Sequence, residues 1–387
     1  MKRNLTLMLL VMILVFSITL NSYACTSFIV SKGASADGST MTTHTADCGD
    51  CDFRIINVPA KDHEPGSKRP IYLFKHPYPR MVDADRAPDY APTDGQVPSE
   101  PIGYIPQVEH TYAYFDGVYG IMNEHGLAMG ETTAAAKTYA NPRPEGEALF
   151  DVAALSRVAM ERCKTAREAI QLMGDLAVKH GYYGWGENLT IVDGEEAWIF
   201  EILASPDKKS AVWVAQRVPD GEFAVVPNMF VIREINVEDT DNFMASDNIY
   251  DIAEEQEWWK PGEPFDFLKV YTPAEYGHPY YSLRRKWRGY DLLAPSKNFS
   301  PDVILNIGGT FVVHVGTMMG VKTFVFTDTE HAKLSNSITF PFATHVFTPD
   351  SFSENLGEKQ IRYAGYQELA YLHPNCFSPN PEILKDL

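Results

Sequence analysis

Residues 1–25 limit what this chain can become more than any other stretch. Met1-Lys2-Arg3-Asn4 is basic, Leu5 to Leu20 is mostly apolar, and small residues, Ser22 and Ala24, stand at −3 and −1 from Cys25. That is the layout of an export signal, so residues 1–24 are read as a leader and the folding domain is expected to begin at Cys25. About 16 apolar residues fall short of the ~20 that span a bilayer, which argues against an uncleaved anchor. Cleavage after Ala24 would leave Cys25 with a thiol and an α-amine of ordinary pKa ~7.7–8.0, a nucleophile and a base in one residue. A second fate stays open: a lipoprotein acylated on the Cys25 sulfur, which could attack nothing. Ser22 and Tyr23 fit a lipobox poorly.

The 387 residues are 45% hydrophobic and 12% aromatic, enough for a substantial core in one large domain or two ordinary ones. With Lys2 and Arg3 removed, 31 basic residues face 51 acidic ones, a net charge of −20. Such a balance argues against nucleic acid and anionic membrane surfaces as partners. It suits a small substrate with a free amino group. No stable membrane insertion is expected once the leader is gone, and a homo-oligomer is compatible with the sequence.

The chain has five cysteines, Cys25, Cys48, Cys51, Cys163 and Cys376. An odd count in an exported protein leaves at least one thiol unpaired. Cys48-Gly-Asp-Cys51 has no second C-x-x-C or paired histidines to complete a zinc site. It follows a strand-like Ser39–Thr45 rather than opening a helix, so a structural disulfide is favoured over a redox pair. Cys163 falls in a helical stretch and reads as filler. No phosphate-binding loop or internal repeat is present, and neither metal nor cofactor is expected.

Strands are predicted at Thr26–Ser31 and Ser39–Thr45 around a turn at residues 33–38, so Cys25 opens a β-hairpin. Residues 59–107 carry ten prolines and read as a long surface excursion able to wall a pocket. Further strands are expected at Tyr112–Tyr119 and Gly126–Thr132. Two helices should follow, Glu147–Arg162 and Thr165–His180, the second with Thr165 and Glu168 as a capping box and Gly181 as its stop. Hairpin strands at Asn188–Val192 and Ala197–Leu203, strands at 212–216 and 223–226, and a helix at Asp247–Trp259 complete the series. Hairpins interrupted by helices imply antiparallel sheets covered by helices, an α+β fold.

Acyl transfer at Cys25 needs groups to hold the thiolate, orient the amine and meet an oxyanion. The returning strand Met41-Thr42-Thr43-His44-Thr45-Ala46-Asp47 can lay His44 and Asp47 beside Cys25. Asp47 would then accept a hydrogen bond from the amine, and His44 would stabilise the thiolate as donor or cation.

Several ordered blocks carry a resemblance. Cys25-Thr26-Ser27-Phe28-Ile29-Val30, Ala34 to Thr40 and His44-Thr45-Ala46-Asp47 resemble the opening of the PepD-type (dipeptidase A) cysteine peptidases. These belong to the N-terminal-nucleophile hydrolases and are distantly related to the choloylglycine hydrolases. Asn123-Glu124-His125-Gly126, Glu196-Ala197-Trp198-Ile199-Phe200-Glu201, Val226-Pro227-Asn228 and Ser282 to Arg288 resemble later blocks of the same family, in order. The match covers about residues 25–295.

The resemblance implies a four-layer αββα sandwich over 25–300, with 301–387 an unassigned continuation. It implies dipeptide hydrolysis through a thioester on Cys25. By position, Asp47 would bond the amine and Asn228 would be the side-chain amide of the oxyanion hole. Arg285, or Arg284 if the register slips, would be the late arginine near the nucleophile. A backbone N–H near Thr132 or Thr133 would be the second oxyanion donor. Bile-salt relatives have arginine where this chain has His44. Trp198 and Glu201 read as sheet core and structural partner. Two other functions compete: an acylase of the choloylglycine hydrolase type, which would need a greasy cleft, and a non-catalytic lipoprotein acylated at Cys25.

Overall fold

The structure, a computed structural model, describes residues 24–47, 51–93, 95–273, 282–293 and 321–327. Residues 1–23, Cys48 and Cys376 lie outside the described residues. In chain order the strands are β1 (Ala24–Val30), β2 (Met41–Asp47), β3 (Ile56–Val58), β4 (Lys61–Asp62), β5 (Lys68–Tyr72), β6 (Pro101–Pro106), β7 (His110–Thr111) and β8 (Tyr114–Asp116). They continue with β9 (Gly120–Asn123), β10 (Ala128–Ala134), β11 (Gly186–Val192), β12 (Ala197–Ala204), β13 (Ala211–Arg217), β14 (Phe223–Pro227), β15 (Phe243–Ala245) and β16 (Val321–Thr327). The helices are α1 (Val152–Arg162), α2 (Ala166–His180), α3 (Ile249–Glu255), α4 (Phe267–Tyr271) and α5 (Arg284–Leu293).

Two antiparallel sheets carry the fold. One has four strands in the order β14-β1-β2-β16; the other has eight, β15-β13-β12-β11-β10-β9-β8-β3. On the outer face of the large sheet, α1 and α2 bury Leu155, Val158, Ile170 and Met173 against Leu189, Ile191, Phe200 and Trp213. On the outer face of the small sheet, Gly289 of α5 meets Val225 and Phe28, and Tyr290 packs on Phe223. Helix, sheet, sheet, helix is therefore the layer order, the αββα expectation. β16 pairs with β2, so residues of the 301–387 stretch add an edge strand to the sheet that holds Cys25.

Local chemistry explains why these elements form where they do. Thr165 accepts from Glu168 N and Glu168 reaches back to the Thr165 N–H, closing the capping box, and Gly181 ends α2 with φ of 80°. The first helix starts later than its apolar pattern suggests. Asp151 accepts from Ala154 N at 2.6 Å and caps the helix, so residues 147–150 stay outside it. The third helix is also shorter than expected, ending at Glu255.

The proline-rich excursion differs most from its reading as loop. It forms the β5–β6 hairpin and buries Ile71, Met81, Tyr90 and Ile105 in the helix-side core. Asp52 anchors it: burial alone would raise its pKa, but Arg54 and Arg80 hold the carboxyl down to about 2. Prolines there limit the chain without preventing a core, because Arg69, Arg80 and Arg86 of the segment meet buried carboxylates outside it, Glu161, Asp52 and Asp116.

The two sheets approach closely at Gly130 on β10. A side chain there would collide with the Thr43 carbonyl oxygen and crowd Thr190 Oγ1 at 2.8 Å and Ser27 Oγ at 3.0 Å. Gly130→Ala is thus expected to push the sheets apart and to cost about 1–3 kcal/mol, as overpacking does. Urea unfolding checks this; a loss below about 0.5 kcal/mol would mean the sheets give way freely.

Candidate active site

Strand register, more than any single side chain, assembles the site. β1 lies between β14 and β2, with Thr26 opposite Pro227 and Thr45, and Cys25 opposite Ala46. The residue after Pro227 therefore arrives beside Cys25, and it is Asn228. Cys25 N donates to Asn228 Oδ1 at 2.8 Å. The Asn228 Nδ2 donates to the Thr133 carbonyl at 2.8 Å, which fixes the orientation of the amide.

Arg285, 3% exposed, completes a clamp on the Cys25 main chain. Its Nη1 donates to the Cys25 carbonyl and, at 2.9 Å, to Thr26 Oγ1. Its Nη2 donates to Asn228 Oδ1 at 2.7 Å. Ser282 Oγ, just ahead of α5, donates to the Asn228 carbonyl at 2.8 Å. The helix turns Arg285, the arginine first offered by the sequence, toward Cys25.

The other sequence-derived residues fall differently. Asp47 sits on β2 opposite Ala24, one register step from Cys25, and its side chain lies outside the described residues. Asn228 Oδ1 accepts from the Cys25 nitrogen. His44 is buried and faces β10, where its Nδ1 stands 2.8 Å from the Glu131 carbonyl and 3.2 Å from the Glu131 N–H. Burial lowers its pKa, with Glu131 only partly opposing that, so the imidazole is held neutral. Of the two forms expected for it, donor or cation, burial thus disfavours the cation, and Nδ1 bridges to the β10 backbone. Cys51 is disulfide-bonded, and Cys163 is a buried thiol whose pKa burial pushes up to about 12.

A cleft of about 430 Å³ opens at Cys25. It runs where β9 leaves β10: those strands pair at Ala128 and Met122, and His44 meets the β10 edge further on, at Glu131. Leu73, Phe74 and His76 of the excursion line one side, so the segment does wall a pocket. Tyr139 and Trp185, ring centroids 5.2 Å apart, stand at its rim and are substantially exposed.

Three carboxyl side chains, Glu131, Glu187 and Asp151, also line the cleft. Sequence reasoning passed over all three. Their signal was faint: a lone charge in each of the otherwise buried strands at 128–134 and 186–192, and an acidic residue just ahead of a helix.

Glu201, read as a structural partner, holds the segment that follows Asn228. It accepts from Val231 N at 2.5 Å and Ile232 N at 3.1 Å. Burial raises its pKa to about 8, against those two N–H donors.

With this geometry established, comparison places the chain. The model of peptidase family C69 matches residues 24–304, most of the sequence, and the chain belongs to that family. Among relatives, "Probable dipeptidase B" of Streptococcus pyogenes serotype M3 (strain ATCC BAA-595 / MGAS315) is 26% identical over 280 residues, 70% of this chain and 51% of the relative. "Probable dipeptidase" of Latilactobacillus sakei is 26% identical over 286 residues, 72% of this chain and 55% of the relative. The chain thus spans about half the length of these curated relatives. "Dipeptidase A" of Lactobacillus helveticus is 21% identical over 386 residues, 92% of this chain and 73% of the relative. Among solved structures, a variant of conjugated bile acid hydrolase from Clostridium perfringens matches with 11% identity and a TM-score of 0.26, covering 76% of this chain and 79% of that one.

Two predictions rest on this geometry. Arg285→Met removes three hydrogen bonds around Cys25 and should lower kcat about 100-fold through misplacement of the nucleophile, with the protein still folded by circular dichroism. A loss under fivefold would remove Arg285 from the site. For Glu201, a folded pKa raised above the unfolded one makes stability highest below about pH 4.5 and erodes it as pH climbs toward 8. Glu201→Gln should flatten that decline, by on the order of 1–4 kcal/mol across the interval. Parallel stability–pH curves for the two proteins would show that Glu201 does not titrate there.

Proposed function

We propose that the chain is an exported cysteine dipeptidase that cleaves the amide bond of dipeptides through a thioester on Cys25. The observation that carries the reading is the clamp on Cys25 by Asn228 and Arg285 at the mouth of the cleft, in a chain of peptidase family C69. Its relatives bear dipeptidase names, and the carboxylates in the cleft suit a substrate amine better than an acyl tail.

Removal of residues 1–24 converts the Cys25 amide nitrogen into an α-amine. Asn228 Oδ1, already the acceptor of that nitrogen, orients its lone pair toward the thiol. The amine takes the thiol proton, and the sulfur attacks the substrate carbonyl carbon. Negative charge then gathers on the carbonyl oxygen. The second Nδ2 hydrogen of Asn228, the one not donated to Thr133, meets that charge, with a backbone N–H of the Thr132–Thr133 stretch as the partner donor. The C–N bond breaks and the ammonium proton passes to the leaving amine, leaving a thioester. Water then gives a proton to the same amine, adds to the carbonyl, and the C–S bond breaks as the thiolate recovers its proton.

Arg285 acts throughout as a positioning residue, holding the Cys25 carbonyl and Asn228 Oδ1 together. In the ground state it also offers Asn228 Oδ1 a second donor, so the amide cannot rotate away from the Cys25 nitrogen. Asp47 is retained as a second orienting group for the amine by its register beside Ala24.

Intact-mass and N-terminal analysis of the exported protein should find a chain beginning at Cys25; a diacylglyceryl adduct on that residue would remove the enzyme reading. An unprocessed residue retained ahead of Cys25 should abolish turnover in a folded protein, and retained activity would contradict an α-amine base. Asn228→Ala should lower kcat about 10²–10³-fold on a dipeptide panel; a loss of tenfold or less would exclude it as an oxyanion donor. Faster turnover of N-acyl amino acids than of free dipeptides would favour the acylase reading.

A further inference from the structure

Buried carboxyl side chains in this fold differ in what meets them. Asp52 is met by Arg54 and Arg80, Asp116 by Arg157 and Arg86, and Glu161 by Arg69 and Arg86. Each of those has its countercharge built in, as buried acids require. Glu131 and Glu187 do not. They are 1% and 8% exposed, and among the described residues no lysine or arginine stands within ion-pair distance of either. One oxygen of each, Glu131 Oε2 and Glu187 Oε2, has no hydrogen-bond partner. Both residues line the cleft that Cys25 opens.

Register explains why they stand together. Thr133 of β10 pairs with Glu187 of β11, and Glu131, two residues before Thr133, shares that face. Gly130 and Thr132, alternating with them, face the small sheet: Gly130 abuts Thr43, and Thr132 Oγ1 donates to the Pro227 carbonyl at 3.1 Å. Thr133 Oγ1 donates to Glu131 Oε1 at 3.2 Å. Burial first, then the negative charge of Glu131 and a hydrogen bond with it, raise Glu187 well above the ordinary carboxyl range. Two like charges at this spacing oppose one another, so the pair resists carrying both at once.

The neighbouring groups add no resident cation. His44 Nδ1 lies 4.0 Å from Glu131 Oε2 and is held neutral by burial. Asp151 is committed to Tyr183 Oη and Ala154 N, both at 2.6 Å. Tyr119 stays protonated, opposed first by burial and then by Glu131, Glu187, Cys25 and Asp151, which places all four within electrostatic range of one phenol. Among the described residues there is no cluster of His, Cys, Asp or Glu suited to a metal ion.

We propose that Glu131 and Glu187 form the subsite for the free α-ammonium group of the substrate, which restricts cleavage at Cys25 to peptides with an unblocked N-terminus. This deepens the dipeptidase reading and rests on it. An ammonium brings the countercharge this pair lacks, and its three N–H donors supply partners for the two orphaned oxygens. An acyl cap removes both the charge and two of the donors. The carboxyl oxygens would then face an apolar group with nothing to bond, the arrangement by which buried polar sites reject analogues most strongly.

Binding and turnover are measured separately, so that the subsite and the reaction can fail independently. Processed protein carrying Cys25→Ala is titrated calorimetrically with alanyl-leucine and with its N-acetyl form, and the same pair is offered to active enzyme. The free dipeptide should bind at least about 10–100-fold more tightly than the acetylated one. Adding Glu131→Gln should lose most of that preference, whereas Glu187→Gln, which replaces the carboxyl pushed above its ordinary range, should lose less. On active enzyme the Glu131→Gln change should raise KM for the free dipeptide with kcat largely kept.

Equal binding of the two ligands by the Cys25→Ala protein, or a preference untouched by Glu131→Gln in a folded variant, overturns the subsite even if dipeptides are hydrolysed. A preference lost on Glu131→Gln without turnover by the active protein keeps the subsite and overturns the dipeptidase reading. Should Glu131→Gln not fold, the comparison of the two ligands on the Cys25→Ala protein decides alone.

Discussion

The pairing of β1 between β14 and β2 is the constraint from which the site follows. A β-ladder permits one register at a time, and a slip of one residue would turn every side chain to the other face. Once Thr26 is opposite Pro227, Cys25 and Asn228 must meet, although 203 residues separate them along the chain. Arg285 can then reach both, because α5 packs through Gly289 on β14, the strand that ends one residue before Asn228. Glu201 steadies the return by holding the backbone at 231 and 232. The fold works as a frame that brings three distant segments to one cysteine.

Burial in this molecule is arranged by charge as much as by apolar contact. The proline-rich segment at 59–107 is kept on the fold by guanidinium groups of Arg69, Arg80 and Arg86 placed on buried carboxylates. Desolvation makes such pairs poor sources of net stability, but it makes their loss costly, so they set where the segment lies. Glu131 and Glu187 obey the same rule with the partner left out. A folded protein retains an uncompensated acidic pair only where something else keeps the pair in place. Here the fully paired β10–β11 ladder does so.

His44 illustrates how a site residue changes meaning between sequence and structure. In the sequence it stands three residues before Asp47 on the strand returning past Cys25, a natural donor to a thiolate. In the fold, β9 diverges from β10 and exposes the peptide unit of Glu131, and His44 takes the place of a neighbouring strand. That contact closes the sheet edge at the wall of the cleft. Burial disfavours the cationic form and leaves the ring neutral, with one N–H to donate.

Local chemistry made much of the architecture legible in the sequence. Thr165, Glu168 and Gly181 mark α2 by themselves, because capping is decided within one helical turn. The hairpin opened by Cys25 and the one at 188–203 follow from alternation and turn residues, and the blocks around Asn228 and Arg285 pointed to the right neighbourhood. Tertiary structure alone decided the rest. Asp151 rather than Glu147 starts α1, since capping outweighed an apolar pattern that ran on upstream. Arg285 turns inward, since the azimuth of α5 depends on its seat against Val225. The meeting of Glu131 with Glu187 needs a strand register, the divergence of β9 and a cleft wall supplied by another segment. Contacts between residues 56 positions apart are set by packing of the whole sheet, and no window along the chain contains that information.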